Sequence, residues 1–515
     1  MELSTKNQSR WLVLGVMCIS LFIISIDATV LNLALPSIAA DFKATTGELQ
    51  WVVDAYTLIF ASLLITTGAL GDRYGRKRFL IIGLALFGVG SLGAALSVST
   101  IMLIGCRALL GLAGALIMPS TLSILIDVYR EGKQRAKAIA IWSSIFSIGA
   151  GIGPIIGGLL ISAFHWSSVF YLNLPVVVIG ILGCVLYVPE SKDARTPKPD
   201  FPGVAFSFVG VVSLVYAMIL VGEKGWSAPM VWVSFAIAVI FITGFILWEK
   251  HSTNPMLPLE FFKNKNFTGA NVSLTISAFA MMGCMYLYSQ YFQTIEGFTP
   301  IKAALCMLPM TPFVFTSTML SVRVNRKLGT KLTMSIGLIL SGLSAFLFSQ
   351  TAGLHINYWI VLLVLFLNGF GIGLTMSPAT TAIMNSLPPN RAGIGSAMND
   401  TTRQLGGALG VAILGALMNG IYRSDVGVLA GQSGLAGGVM DSISGSVQSA
   451  MVAARGLAPE LANLVELTSQ QAFVNGMKEA FLVASIAMVF AAVMAMIILP
   501  NKEEHKVVLS AALEE

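Results

Sequence analysis

Fourteen apolar windows of about 20 residues interrupt this chain, each long enough to cross a bilayer as a helix. They fall near 11–35, 49–70, 79–98, 101–125, 136–162, 168–188, 203–221, 230–248, 267–291, 301–322, 331–350, 357–381, 395–418 and 479–499. Backbone polar groups in hydrocarbon must be satisfied internally, so such windows are read as helices. Of the 515 residues, 56% are hydrophobic and 11% charged, too apolar a mix for a soluble domain of this size. The expectation is an all-α integral membrane protein with 14 transmembrane helices.

The charge distribution gives an orientation. The net charge of +6 does not imply nucleic acid, because the cations collect in short loops. With the N-terminus inside, roughly 23 of the 31 Lys and Arg residues lie on the inner side, as the positive-inside rule requires. An even span count then places both termini in the cytoplasm and the protein in the plasma membrane. The first apolar run continues to Pro36 without a small-residue cleavage site, so it reads as a span and not as a removable signal. Cys18, Cys106, Cys184, Cys284 and Cys306 lack metal-ligand spacing and read as free thiols. The histidines His165, His251, His355 and His505 are scattered, and no Gly-rich nucleotide loop or nucleophile constellation occurs. An enzyme, a cofactor, a metal and a nucleotide are therefore not expected.

The chain also repeats itself. Gly68-Ala-Leu-Gly-Asp-Arg-Tyr-Gly-Arg-Lys-Arg78 follows the second window, and a worn copy, Arg323-Val-Asn-Arg-Lys-Leu-Gly-Thr-Lys331, follows the tenth. Repeated halves mark secondary carriers whose substrate site lies at the midplane. The organisation expected is a six-helix bundle (1–188), a linker with two additional helices (189–265), a second six-helix bundle (266–500) and a tail (501–515). The second bundle includes a long outer loop near 424–475, where two readings stand level: Pro459 opens a short helix with Leu461, Leu464 and Val465 on one face, or the segment is a loop without regular structure. In the fifth window, Gly149, Gly153 and Gly157 recur every four residues beside Gly158, a stripe that lets another backbone come close. Pro154 removes a backbone donor there and invites a bend.

These segments resemble the major facilitator superfamily. Gly68–Arg78 looks like its loop signature, Arg107-Ala-Leu-Leu-Gly-Leu-Ala-Gly-Ala115 like its fourth-helix arginine motif, and Gly149–Gly158 like its antiporter motif. Asp27-Ala-Thr-Val-Leu-Asn-Leu-Ala-Leu-Pro36 resembles the first-helix signature of drug–proton antiporters, and Trp166–Pro175 a segment of their fourteen-span branch. Trp51-Val-Val-Asp54-Ala-Tyr56 is similar to the QacA-type exporters of quaternary ammonium compounds. The resemblance implies a gate in which Gly68, Gly71, Asp72, Arg73, Gly75 and Arg76 form the loop motif, Asp72 and Arg76 hold helix ends together, and Asp127 is a partner for Arg76. From the residues alone, Gly71 and Gly75 permit a tight turn, and the neighbouring charges can pair at helix ends.

The ionisable groups inside the spans carry the chemistry. Counting 1.5 Å per residue from the inner surface puts Asp27 and Asp54 at ~24 Å and Arg107 at ~27 Å, one common level. Charges there are costly and usually functional. A carboxylate in a low-dielectric site holds a proton near neutral pH, and a lipophilic cation displaces it. Competition for one carboxylate enforces exchange, with Arg107 tuning that group; the bland alternative is an ion pair that only locks packing. Asp400 and Arg403 lie three apart on one helical face, a second cation or proton site or a local ion pair. Trp51, Tyr56, Met118, Trp142, Phe146, Tyr286, Tyr288 and Met376 are candidates for a soft, aromatic cavity wall. The function expected is proton-coupled export of lipophilic cations, dyes and quaternary ammonium compounds by a monomer in the lipid bilayer. The alternative is a carrier of the same fold exporting an endogenous amphiphile.

Overall fold

A computed structural model of the chain describes residues 2–129, 132–192, 200–252, 255, 259–386, 392–433 and 437–500. The structure is helical throughout these residues. The helices are α1 (Glu2–Phe42), α2 (Thr46–Tyr74), α3 (Arg76–Ala95), α4 (Thr100–Val128), α5 (Gly132–Ala163), α6 (Ser168–Tyr171), α7 (Asn173–Tyr187), α8 (Phe201–Lys224) and α9 (Pro229–His251). They continue as α10 (Lys265–Gln290), α11 (Pro300–Met307), α12 (Met310–Thr351), α13 (Tyr358–Asn385), α14 (Ala392–Ser433), α15 (Gly437–Gly445), α16 (Val447–Ala454) and α17 (Pro459–Ile498). Among the described residues 11 helices are long and apolar enough to cross a membrane, or 12 with the bent pair in α2 counted as one span.

The helix ends follow local rules. Thr45 and Glu48 form a reciprocal capping box at the start of α2, and Ser99 caps α4 through the Met102 amide. Proline occupies the first turn of α8, α9 and α17, where no amide hydrogen is needed. α2 ends at Gly75, whose φ of 129° suits glycine alone. In the repeat copy, Gly329 interrupts α12 at φ 83°. The two related loops therefore turn on a glycine at the same place, and the break divides the long segment Pro300–Thr351 into two apolar rods.

α1–α5 and α7 pack against one another, as do α10, α12, α13, α14 and α17. α8 and α9 pair with each other, and α8 also lies against α2 and α14. Gly222 of α8 allows this approach, because a Cβ there would stand 2.6 Å from the Ala416 Cα of α14. The Asn419 amide of α14 donates to the Gly222 carbonyl at 3.2 Å, and Trp51 of α2 meets Tyr216 of α8 with ring centres 6.1 Å apart.

The region expected as an outer loop is largely helical. α14 runs on to Ser433, and the short helix assigned to Pro459 is the first turn of the 40-residue α17. Nothing after Pro459 breaks the helix, and buried Val465, Ser469 and Ala472 continue the packed face into the span. α16 is also buried, with Val447, Gln448, Ser449 and Ala450 enclosed.

Candidate functional site

The arginine in the N-terminal third of α4 joins three helices. Arg107 Nη1 lies 2.5 Å from Asp27 Oδ2 of α1, with 2% and 3% of the two side chains exposed. Its Nε donates to the Val52 carbonyl of α2 at 3.1 Å, and its guanidinium lies 4.5 Å from the centre of the Tyr56 ring. Gly111 and Gly114 make room for this, since a Cβ at either would strike α2 at Tyr56 or Phe60. The depths of Asp27 and Arg107 counted along separate helices thus converge on one buried pair.

Asp54 is placed differently. It is completely enclosed, and neither carboxylate oxygen has a hydrogen-bond partner among the described residues. Tyr286 of α10 is also enclosed, near enough for the Asp54 charge to act on it and beside Gln290. The two acids of the first half therefore differ: Asp27 is paired with Arg107, whereas Asp54 has no counter-ion among the described residues.

One turn from Asp54, Gln50 crosses to the second half. Its Nε2 donates to the Val411 and Ala412 carbonyls of α14 at 3.4 and 3.3 Å. Further contacts between the halves lie nearby. The Thr46 hydroxyl donates to the Gly445 carbonyl at 3.3 Å, and the Ser289 hydroxyl to the Asn32 carbonyl. Within the second half, Gln448 of α16 donates to Gln290 at 2.6 Å and to Thr294 at 3.1 Å. These contacts occupy the end of the molecule opposite the Gly68–Arg78 loop. Gln50 and Gln448 have no motif that marks them; a glutamine inside an apolar helix was the available signal for Gln50.

The glycine stripe of α5 fits α1. Gly149 lies on Ser25, Gly153 on Thr29 and Gly157 on Val30, the segment that carries Asp27. A Cβ at Gly149 would stand 2.7 Å from the Ser25 hydroxyl. Gly158 faces the backbone of Ile301, so the stripe ends on the second half. Pro154 lies within α5, partly buried.

At the other end, Arg76 Nε meets Asp72 Oδ1 at 2.6 Å, and its Nη1 reaches the Ser123 carbonyl at 3.5 Å, one turn before Asp127. Gly68 and Gly71 lie against Pro119 and Ser120 of α4, while Arg73 rests near the Tyr74 ring at 5.8 Å. Glu190, which no motif singled out, closes the loop. Its Oε1 accepts from the Lys77 amide at 3.1 Å and sits 2.9 Å from where a Gly75 Cβ would be.

The remaining candidates separate. Met118 and Trp142 are buried, and the Trp142 indole donates to Thr121 at 3.3 Å. Met376 is half-buried, and the Phe146 side chain lies outside the described residues. Trp51 belongs to the α2–α8 seam. Tyr288, expected on the cavity wall with Tyr286, instead packs against Phe348 of α12 and Phe481 of α17, both at 4.9 Å. The reason is helical geometry: residues two apart point to different faces. Asp400 pairs with Arg403 at 3.3 Å and accepts from Asn399 at 3.5 Å, a local ion pair within α14. An apolar crevice of about 460 Å³ between α2, α4 and α8, lined by Ile59, Leu63, Leu109, Leu112 and Phe208 among others, holds none of these charges.

The family model of the Major Facilitator Superfamily matches residues 17–411. A multidrug efflux pump, LfrA, of Mycolicibacterium smegmatis is 33% identical over 95% of this chain and 96% of its own length. The methyl viologen resistance protein SmvA of Salmonella typhimurium is 30% identical over 92% of this chain and 93% of its own. Among solved structures, an inward-facing bacterial homologue of the human lysosomal transporter Spinster superposes with a TM-score of 0.65, covering 95% of this chain and 96% of that one at 16% identity. That likeness concerns the fold.

Proposed function

The chain belongs to the Major Facilitator Superfamily, and from this premise we propose that it exports lipophilic cations, dyes and quaternary ammonium compounds in exchange for protons. It is a multi-pass membrane transporter whose relatives include multidrug efflux pumps. The observation that carries the exchange reading is Asp54: enclosed, with no counter-ion and no hydrogen bond among the described residues. A buried carboxylate in that condition is costly unless a proton or another cation neutralises it. A proton and a lipophilic cation then compete for one site, and neither crosses without displacing the other. Tyr286 supplies an aromatic face from the second half, suited to a cation of low hydration. Asp27 and Arg107 form the fixed pair around which the first half is organised.

With the N-terminus inside, the contacts between the halves made by Gln50, Thr46 and Ser289 lie on the outer side. That supports a state sealed outside and reached from the cytoplasm of the cell, with the Asp72–Arg76 loop as the latch of the opposite state. The count of fourteen spans is supported by the Gly329 break, which divides Pro300–Thr351, by the bent α2, and by α5, to be counted with the other ten apolar rods. The working unit of this reading is a monomer in the plasma membrane.

The test is ethidium uptake into inverted vesicles under an imposed pH gradient. Uptake that stops when the gradient is collapsed, and that is absent in Asp54→Asn at equal membrane abundance, is the expected result. Uptake indifferent to the gradient would remove the proton. Failure of quaternary ammonium compounds to compete would redirect the reading to an endogenous amphiphile.

A further inference from the structure

Gln50 and Asp54 sit one turn apart on α2, the spacing at which a glutamine and an aspartate meet on a helix surface. The Gln50 amide has a defined orientation. It faces two α14 carbonyls, acceptors that only the NH2 end of the amide can meet, so Nε2 points to α14. The other end, Oε1, is enclosed and has no partner. Both Asp54 oxygens are in the same state. An amide oxygen and an ionised carboxylate are all acceptors, so no bond can form among them. A proton on Asp54 changes this, because the acid then has one O–H to donate.

We infer that Gln50 is the acceptor for the proton carried by Asp54, and that it transmits the presence of that proton to the contact between α2 and α14. This rests on Asp54 being the exchange site. With the proton in place, the amide is held at both ends: Oε1 accepts from Asp54, and Nε2 donates to Val411 and Ala412. When the proton passes to water, the ionised carboxylate repels Oε1 and attracts the NH2 group. The amide turns, its two bonds to α14 are given up, and the seal between the halves loosens on that side. Gln50 is thus a positioning residue.

Gly415 gives an independent handle. A Cβ on Gly415 would overlap the Gln50 Nε2 atom, so the missing side chain is what admits the amide to α14. Because the obstructing atom is the free end of a flexible side chain, Gly415→Ala displaces the amide at little cost to folding. The ionisable groups around Asp54 leave the assignment simple. α10 presents Tyr286. α4 presents Arg107, already bonded to Val52 and to Asp27 of α1. α14 offers the apolar run 408–416, and α8 offers Tyr216, which lies against Trp51.

The experiment measures gradient-driven ethidium uptake against pH for the full chain, Gln50→Met, Gly415→Ala and Asp54→Asn, with carbodiimide labelling of Asp54 against pH as a readout independent of transport. Loss of the acceptor removes a bond to the protonated acid, so both the uptake midpoint and the labelling midpoint should move about one unit toward acid in Gln50→Met, a tenfold weaker hold on the proton. Gly415→Ala should move them the same way, with the maximal rate falling more than KM rises. Unmoved midpoints in either folded variant, with Asp54→Asn inactive, would overturn the role of Gln50 and leave the exchange site standing. An active, gradient-driven Asp54→Asn would overturn the exchange site itself.

Discussion

Arg107 and Asp27 meet at 2.5 Å inside the first half, and the same guanidinium hydrogen-bonds the α2 backbone at Val52, two residues from Asp54. One side chain therefore sets the relative positions of α1, α2 and α4. Removing one member of a buried pair strands the other charge, which costs about 3–5 kcal/mol. Arg107→Ala should accordingly lower the melting temperature in detergent sharply. Arg107→Gln combined with Asp27→Asn should recover most of it. Transport should stay lost in the double variant if the charges are used in the cycle, and return if the pair only locks packing. Thermal unfolding and uptake on the same preparations separate the two.

Gly153 gives a steric prediction. A methyl group there collides with the Thr29 hydroxyl on α1, next to the Asp27 turn. Overpacking of a tight helix contact costs about 1–3 kcal/mol. Gly153→Ala should push α5 from α1 and reduce efflux. Thr29→Ala in the same chain removes the obstructing oxygen and should restore efflux to near that of the parent. A double variant as impaired as the single one would show that the stripe matters for something other than this contact.

The apolar windows and the glycine period were legible because both are local: span length follows from bilayer thickness, and a four-residue glycine repeat needs no partner to be recognised. The level shared by Asp27 and Arg107 followed from counting along helices. What escaped was set by distant partners. Gln50 gains its role from carbonyls 361 positions away, Glu190 from an amide 113 positions back and Gln448 from a side chain 158 positions back. Tyr288 was grouped with Tyr286 by composition, yet its face of α10 meets Phe348 and Phe481. The outer segment looked like a loop because its Gly, Ser and Ala content is weakly apolar, although Val447 and Ala450 of α16 are enclosed.

Glu190 yields a prediction about the loop motif. Its carboxylate caps the start of α3 through the Lys77 amide and lies where any side chain at residue 75 would go. A capping side chain is worth about 0.5–2 kcal/mol. Glu190→Ala should destabilise the protein by that amount. Gly75→Ala should do worse, since it combines the clash with a backbone angle of 129° that side chains rarely adopt. Melting curves of the two single variants and of Gly75→Ala with Glu190→Ala decide the point. If the double variant is no more stable than Gly75→Ala alone, the backbone angle accounts for the whole effect.

Gln448 tests the seal at the opposite end. It is enclosed, and its amide bonds Gln290 and Thr294, which closes α16 over the end of α10. Truncation leaves the Gln290 oxygen enclosed without this donor, a loss of about 1–3 kcal/mol. These bonds lie within the second half, but the α16 they hold also packs against α1 of the first half, so loosening α16 weakens the closed end and shifts the balance toward opening. Gln448→Ala should therefore speed labelling of a cysteine placed at Asn32 by a membrane-impermeant maleimide added to intact cells. Gln448→Glu, which keeps the shape but cannot donate when ionised, should act in the same direction. Labelling rates equal to those of the parent in both variants would mean that α16 rests on this end without holding it shut.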